Sequence, residues 1–344
     1  MTQNISMQTI ADAIGCSRVA VSRALRNDPK ISVATRDRVK QMARELGYRP
    51  NPMVSALMAS RSSPHGRSGQ NRANLVLLSD PSLSPELLKT HPNYQEQLSG
   101  VRQRATELGF GLELFSLQET PVSPDRLARI FRTRAYRGVI VLPHKTMKAH
   151  LDALAGFLPL SLVGTPSGFE EFSAARTSTF QNITMAFQRL VDLGYRRPAL
   201  ISSWGFENEV GHRYYGGSVA AAKFQPKLAQ IKPFIIGLKG RKQSLAGWLE
   251  KNRPDVLISA KSGAEFVQSE MGWRFPEDIA FAMIDRKSSD ARFGGIDSCL
   301  SRQGDAAVDI VSAQAYRNEV GENRNKHDVV VAGRWVDGPS APPK

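Results

Sequence analysis

Ala11, Gly15 and Val21 stand at the spacing that two short helices crossing at a tight turn require. Such a unit needs a small residue where the second helix crosses the first. It also needs a turn residue tolerant of positive φ and an apolar residue that holds the second helix down. Ile10, Ile14 and Ala24 can fill the core beneath, so residues 7–26 read as a helix-turn-helix. The chemistry open to such a unit is contact with phosphates and base edges of duplex DNA. Any three-helix bundle could carry these residue types, and the charge weighs between the two readings. Residues 1–72 hold 12 Lys+Arg against 4 Asp+Glu, whereas the remaining 272 residues hold 34 against 28. More than half of the formal net charge of +14 thus sits in the first fifth of the chain, as expected of a module that meets phosphate.

Bond-making chemistry finds little support. The six histidines (65, 91, 144, 150, 212 and 327) have no ligand-like spacing, and the two cysteines, Cys16 and Cys299, suggest neither a disulfide framework nor a zinc site. Gly109-Phe-Gly111 lacks a third glycine and lies between a helix and a strand, the wrong order for a dinucleotide fingerprint. No Walker-type loop, His-Glu-x-x-His or Gly-x-Ser-x-Gly is found. The expectation is a protein without catalytic residues, metal or cofactor. No apolar stretch approaches the roughly 18–20 residues of a membrane span, and no apolar run near the start could serve as a secretory signal, which predicts a cytoplasmic chain.

The elements that must position the head residues follow from caps and periodicity. Ser6 is a candidate N-cap for a helix carrying Met7, Ile10, Ala11 and Ile14, which Gly15 stops. Ser17 can cap a second helix through Asn27, and Ser32 a third with Val39, Met42, Ala43 and Leu46 as its apolar stripe. Arg36, Lys40 and Arg44 lie on the opposite face of that third helix, and Gly47 suits its C′ position. Asn51-Pro52 opens a further short helical stretch to Ser60, followed by a Ser/Gly/Arg-rich linker, Arg61 to Arg72. From Ala73 short apolar runs alternate with amphipathic helices. Strands are predicted at 74–79, 112–117, 138–142, 160–163, 198–202, 234–236, 256–259, 279–284 and 329–331, a pattern that argues for parallel α/β sheets. Some 272 residues are generous for one such sheet, so two lobes are expected. The fold class is α/β, with an all-helical helix-turn-helix head.

Thr9-Ile-Ala-Asp-Ala-Ile-Gly-Cys-Ser17, Val21-Ser-Arg-Ala-Leu25, Ile31 to Val39 and Glu45-Leu-Gly-Tyr-Arg-Pro-Asn51 resemble the head of the lactose-repressor/galactose-repressor family of bacterial transcription regulators. Leu190 to Arg197, Trp273 to Ile279, Gly304 to Ile310 and Gly333 to Asp337 look like its regulatory body. The resemblance implies a helix-turn-helix domain at 1–50, a hinge helix and linker at 51–72, and a body at 73–344. That body would be of the periplasmic sugar-binding-protein type, with lobes of roughly 73–168 plus 297–320 and 169–296 plus 321–344. It also implies double-stranded operator DNA and a small effector, sugar-like or nucleobase-like, as partners, and a homodimer; nothing like a leucine-heptad tail follows Asp337.

By the same resemblance, Arg18, Val19 and Arg23 would face base edges in the major groove, and Ser6, Ser17, Ser22 and Thr35 would reach phosphates, although Ser6 and Thr35 suit helix caps equally. Asn51 would open the minor-groove hinge helix, and Leu57 would wedge between base steps. Met58 departs from the basic residue that many relatives carry there. Arg213 and Asp285 would contact the effector, with Trp204, Phe206 or Trp273 stacking on a ring. Ser178-Thr179 stands where the family commonly has Asp-Asn. The rival reading is a solute-binding protein with no role at DNA.

Overall fold

A computed structural model describes residues 7–25, 31–46, 74–142, 147–164, 168–238, 244–287, 289–321 and 325–344. The chain divides into two units between residues 71 and 72. Ser6, Asn51, Leu57 and the hinge and linker at 51–72 lie outside the described residues, as does the predicted end of the second helix at Asn27.

The first unit consists of α1 (Met7–Ile14), α2 (Arg18–Leu25) and α3 (Val33–Glu45). Ile10, Ala11, Val21, Ala24, Val39 and Ala43 are its buried core, with Ile14, Cys16, Leu25 and Met42 packed against them. Gly15 adopts φ of 66°, the left-handed conformation the turn needs, and the Cys16 amide bonds back to the Ala11 carbonyl at 3.0 Å. Ser17 Oγ accepts from the Ala20 amide at 3.1 Å and Ser32 Oγ from the Thr35 amide at 3.2 Å, so both predicted caps are in place.

The second unit carries two six-stranded sheets. Its elements run β1 (Asn74–Ser79), α4 (Pro85–Thr90), α5 (Pro92–Glu107), β2 (Gly111–Ser116), α6 (Pro124–Thr133), β3 (Gly138–Leu142), α7 (Lys148–Ala155), β4 (Leu160–Val163) and β5 (Ser173–Thr177). There follow α8 (Thr179–Asp192), β6 (Pro198–Ser203), α9 (Trp204–Glu209), α10 (Arg213–Phe224), β7 (Phe234–Ile236), α11 (Leu245–Asn252), β8 (Val256–Ser259) and α12 (Lys261–Met271). The chain closes with β9 (Ala280–Met283), β10 (Gly294–Asp297), α13 (Leu300–Arg317), β11 (Asp328–Val331) and β12 (Arg334–Val336). The first sheet, in order β11-β5-β4-β3-β1-β2, is parallel throughout. The second, in order β12-β10-β9-β8-β6-β7, is parallel except that β12 runs against β10.

Both faces of each sheet are covered. Val76 and Leu78 join one apolar cluster while Leu75 and Leu77 join another, and Leu200 and Ala199 divide likewise in the second sheet. That burial on two sides is why these strands read as continuous apolar runs.

The chain crosses between the sheets three times, as expected, but the lobe boundaries differ from the sequence reading. β5 pairs with β4 and β11 pairs with β5, so residues 173–177 and 328–331 belong to the first lobe, not the second. The first crossover comes only at Ser178, before α8, and the last falls between β11 and β12. Ser-Ala-Ala-Arg-Thr has little of the branched and aromatic content that marks a strand, which hid β5. The first and second crossovers are tied by a relay: Gln97 Nε2 donates to Gln303 Oε1 at 2.7 Å in the interior, and Gln303 Nε2 to Thr177 Oγ1 at 3.2 Å. Among the described residues no helix is long and apolar enough to cross a membrane.

Candidate DNA-reading head and inter-lobe site

Burial of Val21 and Ala24 fixes the orientation of α2 on its own unit. With those residues inward, Arg18, Val19 and Arg23 are exposed and Ser22 is half-buried. Val19 and Arg23 are one turn apart on one ridge, and Arg18 and Ser22 on the next. Val19, an aliphatic side chain, leaves 60 % of its surface exposed on this face. The Ser17 hydroxyl serves as the cap of α2, and the Thr35 hydroxyl lies 2.8 Å from that of Ser32 at the start of α3. Arg36 does not project as a simple surface charge: its Nη2 donates to the Ile31 carbonyl at 3.0 Å and ties α3 to the preceding turn.

In parallel α/β sheets, ligands are taken outside the carboxyl ends of the strands. At that edge of the second sheet, β6 runs directly into α9, α10 follows, and β9 leads through Ile284 to Asp285. The chain therefore brings Trp204, Phe206, Arg213 and Asp285 to one edge. Trp204 is 45 % exposed, with its ring 5.9 Å from that of His212. Phe206 is stacked on Tyr214 at 5.4 Å, which occupies one of its faces. Arg213 is exposed and donates from Nη1 to the Val210 carbonyl at 3.0 Å. Asp285 Oδ1 accepts from the Lys261 amide at 3.1 Å; burial raises its pKa, with Lys287 opposing the rise.

Trp273 does not join this group. Helix α12 leaves the carboxyl end of β8 and returns to the opposite edge, where Trp273 precedes β9 and packs with the cluster of Phe234, Trp248 and Phe281. It is a partly buried residue packed against the core at the far end of the sheet. Its place in the sequence, close before Asp285, conceals a full strand's length of separation.

The first lobe supplies groups that sequence reasoning missed. Asp80, just past β1, is buried and accepts from the Ser82 amide at 2.8 Å and hydroxyl at 2.7 Å. Tyr94 and Glu96 lie on the first turns of α5. Glu96 Oε2 is 3.9 Å from Lys287 Nζ, an ion pair that spans the two lobes. Burial raises the Tyr94 pKa, and Glu209 from the other lobe and Asp80 from its own add to the rise. Tyr214 is raised far more strongly, by burial first and then by Asp285 and Glu207. The one available signal was position: Asp80 follows an apolar run that reads as a strand, so it had to lie at a carboxyl end. At the first crossover, Ser178 Oγ donates to Gln181 Oε1 at 3.0 Å and Thr179 is buried, while Asn182 Oδ1 accepts from the Gly333 amide at 2.9 Å near the last crossover.

Residues 6–51 match the model of the family described as bacterial regulatory proteins, lacI family. The head belongs to the lacI family. The resemblance extends into the body. The HTH-type transcriptional regulator DegA of Bacillus subtilis (strain 168) is 23% identical over 292 residues, covering 80% of this chain and 80% of the relative. The sucrose operon repressor of Escherichia coli is 27% identical over 300 residues, covering 81% and 83%. Among solved structures, the lac repressor dimer bound to operator and the anti-inducer ONPF superposes with a TM-score of 0.56 at 18% identity, over 99% of this chain and 100% of that one. That likeness carries the fold: a lacI-type head followed by two parallel-dominated sheets.

Proposed function

We propose that this lacI-family chain is a sequence-specific DNA-binding transcription regulator, a repressor that acts as a homodimer on a near-palindromic operator and answers to a small effector held between its lobes. The observation that carries this reading is the outward face of α2, with Arg18, Val19 and Arg23 exposed on a folded helix-turn-helix of lacI type. Laid in the major groove, such a helix offers Arg23 or Arg18 to guanine O6 and N7 as a bidentate donor, and Val19 to a thymine methyl. Ser17, Ser22, Thr35 and Ser6 position phosphates, and Asn51 and Leu57 extend the contact into the minor groove. The relatives named above are transcription regulators, one of them the repressor of a sucrose operon, which supports a cytoplasmic regulator without catalysis over a solute-binding protein.

For the effector, the carboxyl edge of the second sheet offers the exposed Trp204 as a stacking platform, Phe206 stacked on Tyr214, and Arg213 and Asp285 as polar contacts. These residue types suit a hydroxyl-rich ligand. Binding that favours one lobe arrangement shifts the operator-competent population, and linkage makes operator and effector act on each other by the same factor.

Three replacements test the reading. Arg23→Ala is expected to cost about 1–3 kcal/mol on operator DNA and to relax preference at one position, whereas Lys40→Ala weakens specific and random duplexes alike. Equal loss on both DNAs for Arg23→Ala overturns the base-reading role. Arg213→Ala is expected to abolish the effector response in a gel-shift titration while operator affinity without effector stays as in the parent chain.

A further inference from the structure

The net charge of the body is gathered in one segment of its first lobe. Residues 73–344 hold 34 Lys+Arg against 28 Asp+Glu. Between Glu119 and Asp152 the balance is seven against one, which leaves 27 against 27 for the rest of the body. Five of the seven are arginines on α6 or just after it: Arg126, Arg129, Arg132, Arg134 and Arg137. Burial of Leu127, Ala128 and Phe131 turns the first three outward, three residues apart along the exposed face of the helix. The Arg132 guanidinium lies over the Phe157 ring, 4.1 Å from its centroid, and Arg134 is held by Glu113 and, at 3.1 Å, by the Tyr136 hydroxyl. Arg126, Arg129 and Arg137 make no ion pair among the described residues, and Asp125 is the one acid on α6. The run ends where the chain enters the body: the Arg137 amide donates at 2.9 Å to the carbonyl of Asn74, which opens β1 directly after the linker.

We propose that this arginine face is a second, sequence-independent DNA contact, which takes phosphates of the duplex flanking the operator. This rests on the DNA-binding reading of the head. Guanidinium forks match phosphate oxygens in bidentate fashion, which lysines cannot do. A row of such groups fits a polyanion, and duplex DNA is the polyanion that the head brings to this same chain. A duplex held by the head meets the body as a tethered ligand, so contacts too weak to hold it alone still add to the affinity. An acidic protein surface has the matching charge but nothing that ties it to this chain.

The test is binding by the full chain to an operator selected from a randomised library, alone and with about 20 bp of random sequence on each side, across a salt series. The parent chain is expected to bind the longer duplex at least about ten-fold more tightly at low salt, with a salt slope steeper by about 2–3, one phosphate for each of Arg126, Arg129 and Arg137. Replacing these three together (Arg126→Gln, Arg129→Gln, Arg137→Gln) should remove that gain while the short-duplex affinity and the thermal unfolding of the body stay as in the parent. A control removes the same charge from three exposed lysines of the second lobe, Lys223→Gln, Lys227→Gln and Lys251→Gln, and should keep the gain. No gain from the flanks, a gain that survives in the arginine triple, or an equal loss in the lysine control overturns the proposal. Specific binding of the short duplex, measured in the same series, decides separately whether the reading of the head falls with it.

Discussion

Ile10→Ala is expected to unfold the head and leave the body folded. Ile10 is fully buried among Val21, Ala24 and Val39, where the three helices meet. Truncating a core isoleucine costs about 2–5 kcal/mol, and a helical unit of this size holds a single core worth roughly 3–5 kcal/mol in all. The replacement therefore takes most or all of its stability. Operator affinity should fall to the level of random DNA, protease should cleave within 7–46, and the thermal transition of the body should stay where it was. The body's two sheets have cores of their own, which is why the loss is local. Retention of operator binding in Ile10→Ala would mean that the helix-turn-helix core is not what holds α2 in reading position.

The second large effect lies at the crossing of α5 and α13. A Cβ added to Gly304 would sit 2.2 Å from the Gln97 carbonyl oxygen and 2.8 Å from the Val101 nitrogen, both backbone atoms. One added to Gly100 would meet the Ser301 carbonyl at 2.0 Å. The two glycines let the helices approach until their backbones touch, and only helix separation could admit a methyl group. Gly304→Ala should cost about 2–3 kcal/mol and lower the body's melting temperature by about 5–10 °C in calorimetry. Gly216→Ala on α10 is the matched control, since its Cβ would meet nothing within 4 Å. That helix should gain roughly 0.5–1 kcal/mol from the better helix former. Because α13 carries Gln303, which bonds Thr177 at the first crossover, Gly304→Ala should also blunt the response of DNA binding to effector.

Local chemistry made much of the architecture legible. Ser17 and Ser32 cap the helices they were expected to cap, and Gly15 makes the expected turn, because these are decided within four residues of chain. Strands buried on both sides, such as 138–142 and 256–259, are visible as apolar runs for the same reason. The hidden strands are those whose place is set by partners. β10 is Gly-Gly-Ile-Asp, and a Cβ at Gly295 would come within 2.0 Å of the Met283 carbonyl, so its composition reflects close backbone approach to β9 rather than strand propensity. β5 is small and polar and joins the first sheet only because β4 and β11 flank it.

The candidate inter-lobe site was half legible. Arg213, Trp204, Phe206 and Asp285 do share an edge, but Trp273 packs, partly buried, against the core at the opposite end. Asp80, Tyr94 and Glu96 come from the first lobe, and the pair of Glu96 with Lys287 exists only because the two lobes are juxtaposed. No spacing rule within one segment could have collected them.

Sequence-specific reading of DNA by this head is tested most directly by selection from a randomised duplex library with the full chain, followed by titration of the winner against a shuffled duplex of equal length at one physiological salt concentration. The selected sequences are expected to converge on a near-palindrome whose two half-sites match a two-fold dimer, and to bind at least about a thousand-fold more tightly than the shuffled control. Selection without a consensus, or equal affinity for both duplexes with the same salt dependence, would contradict it.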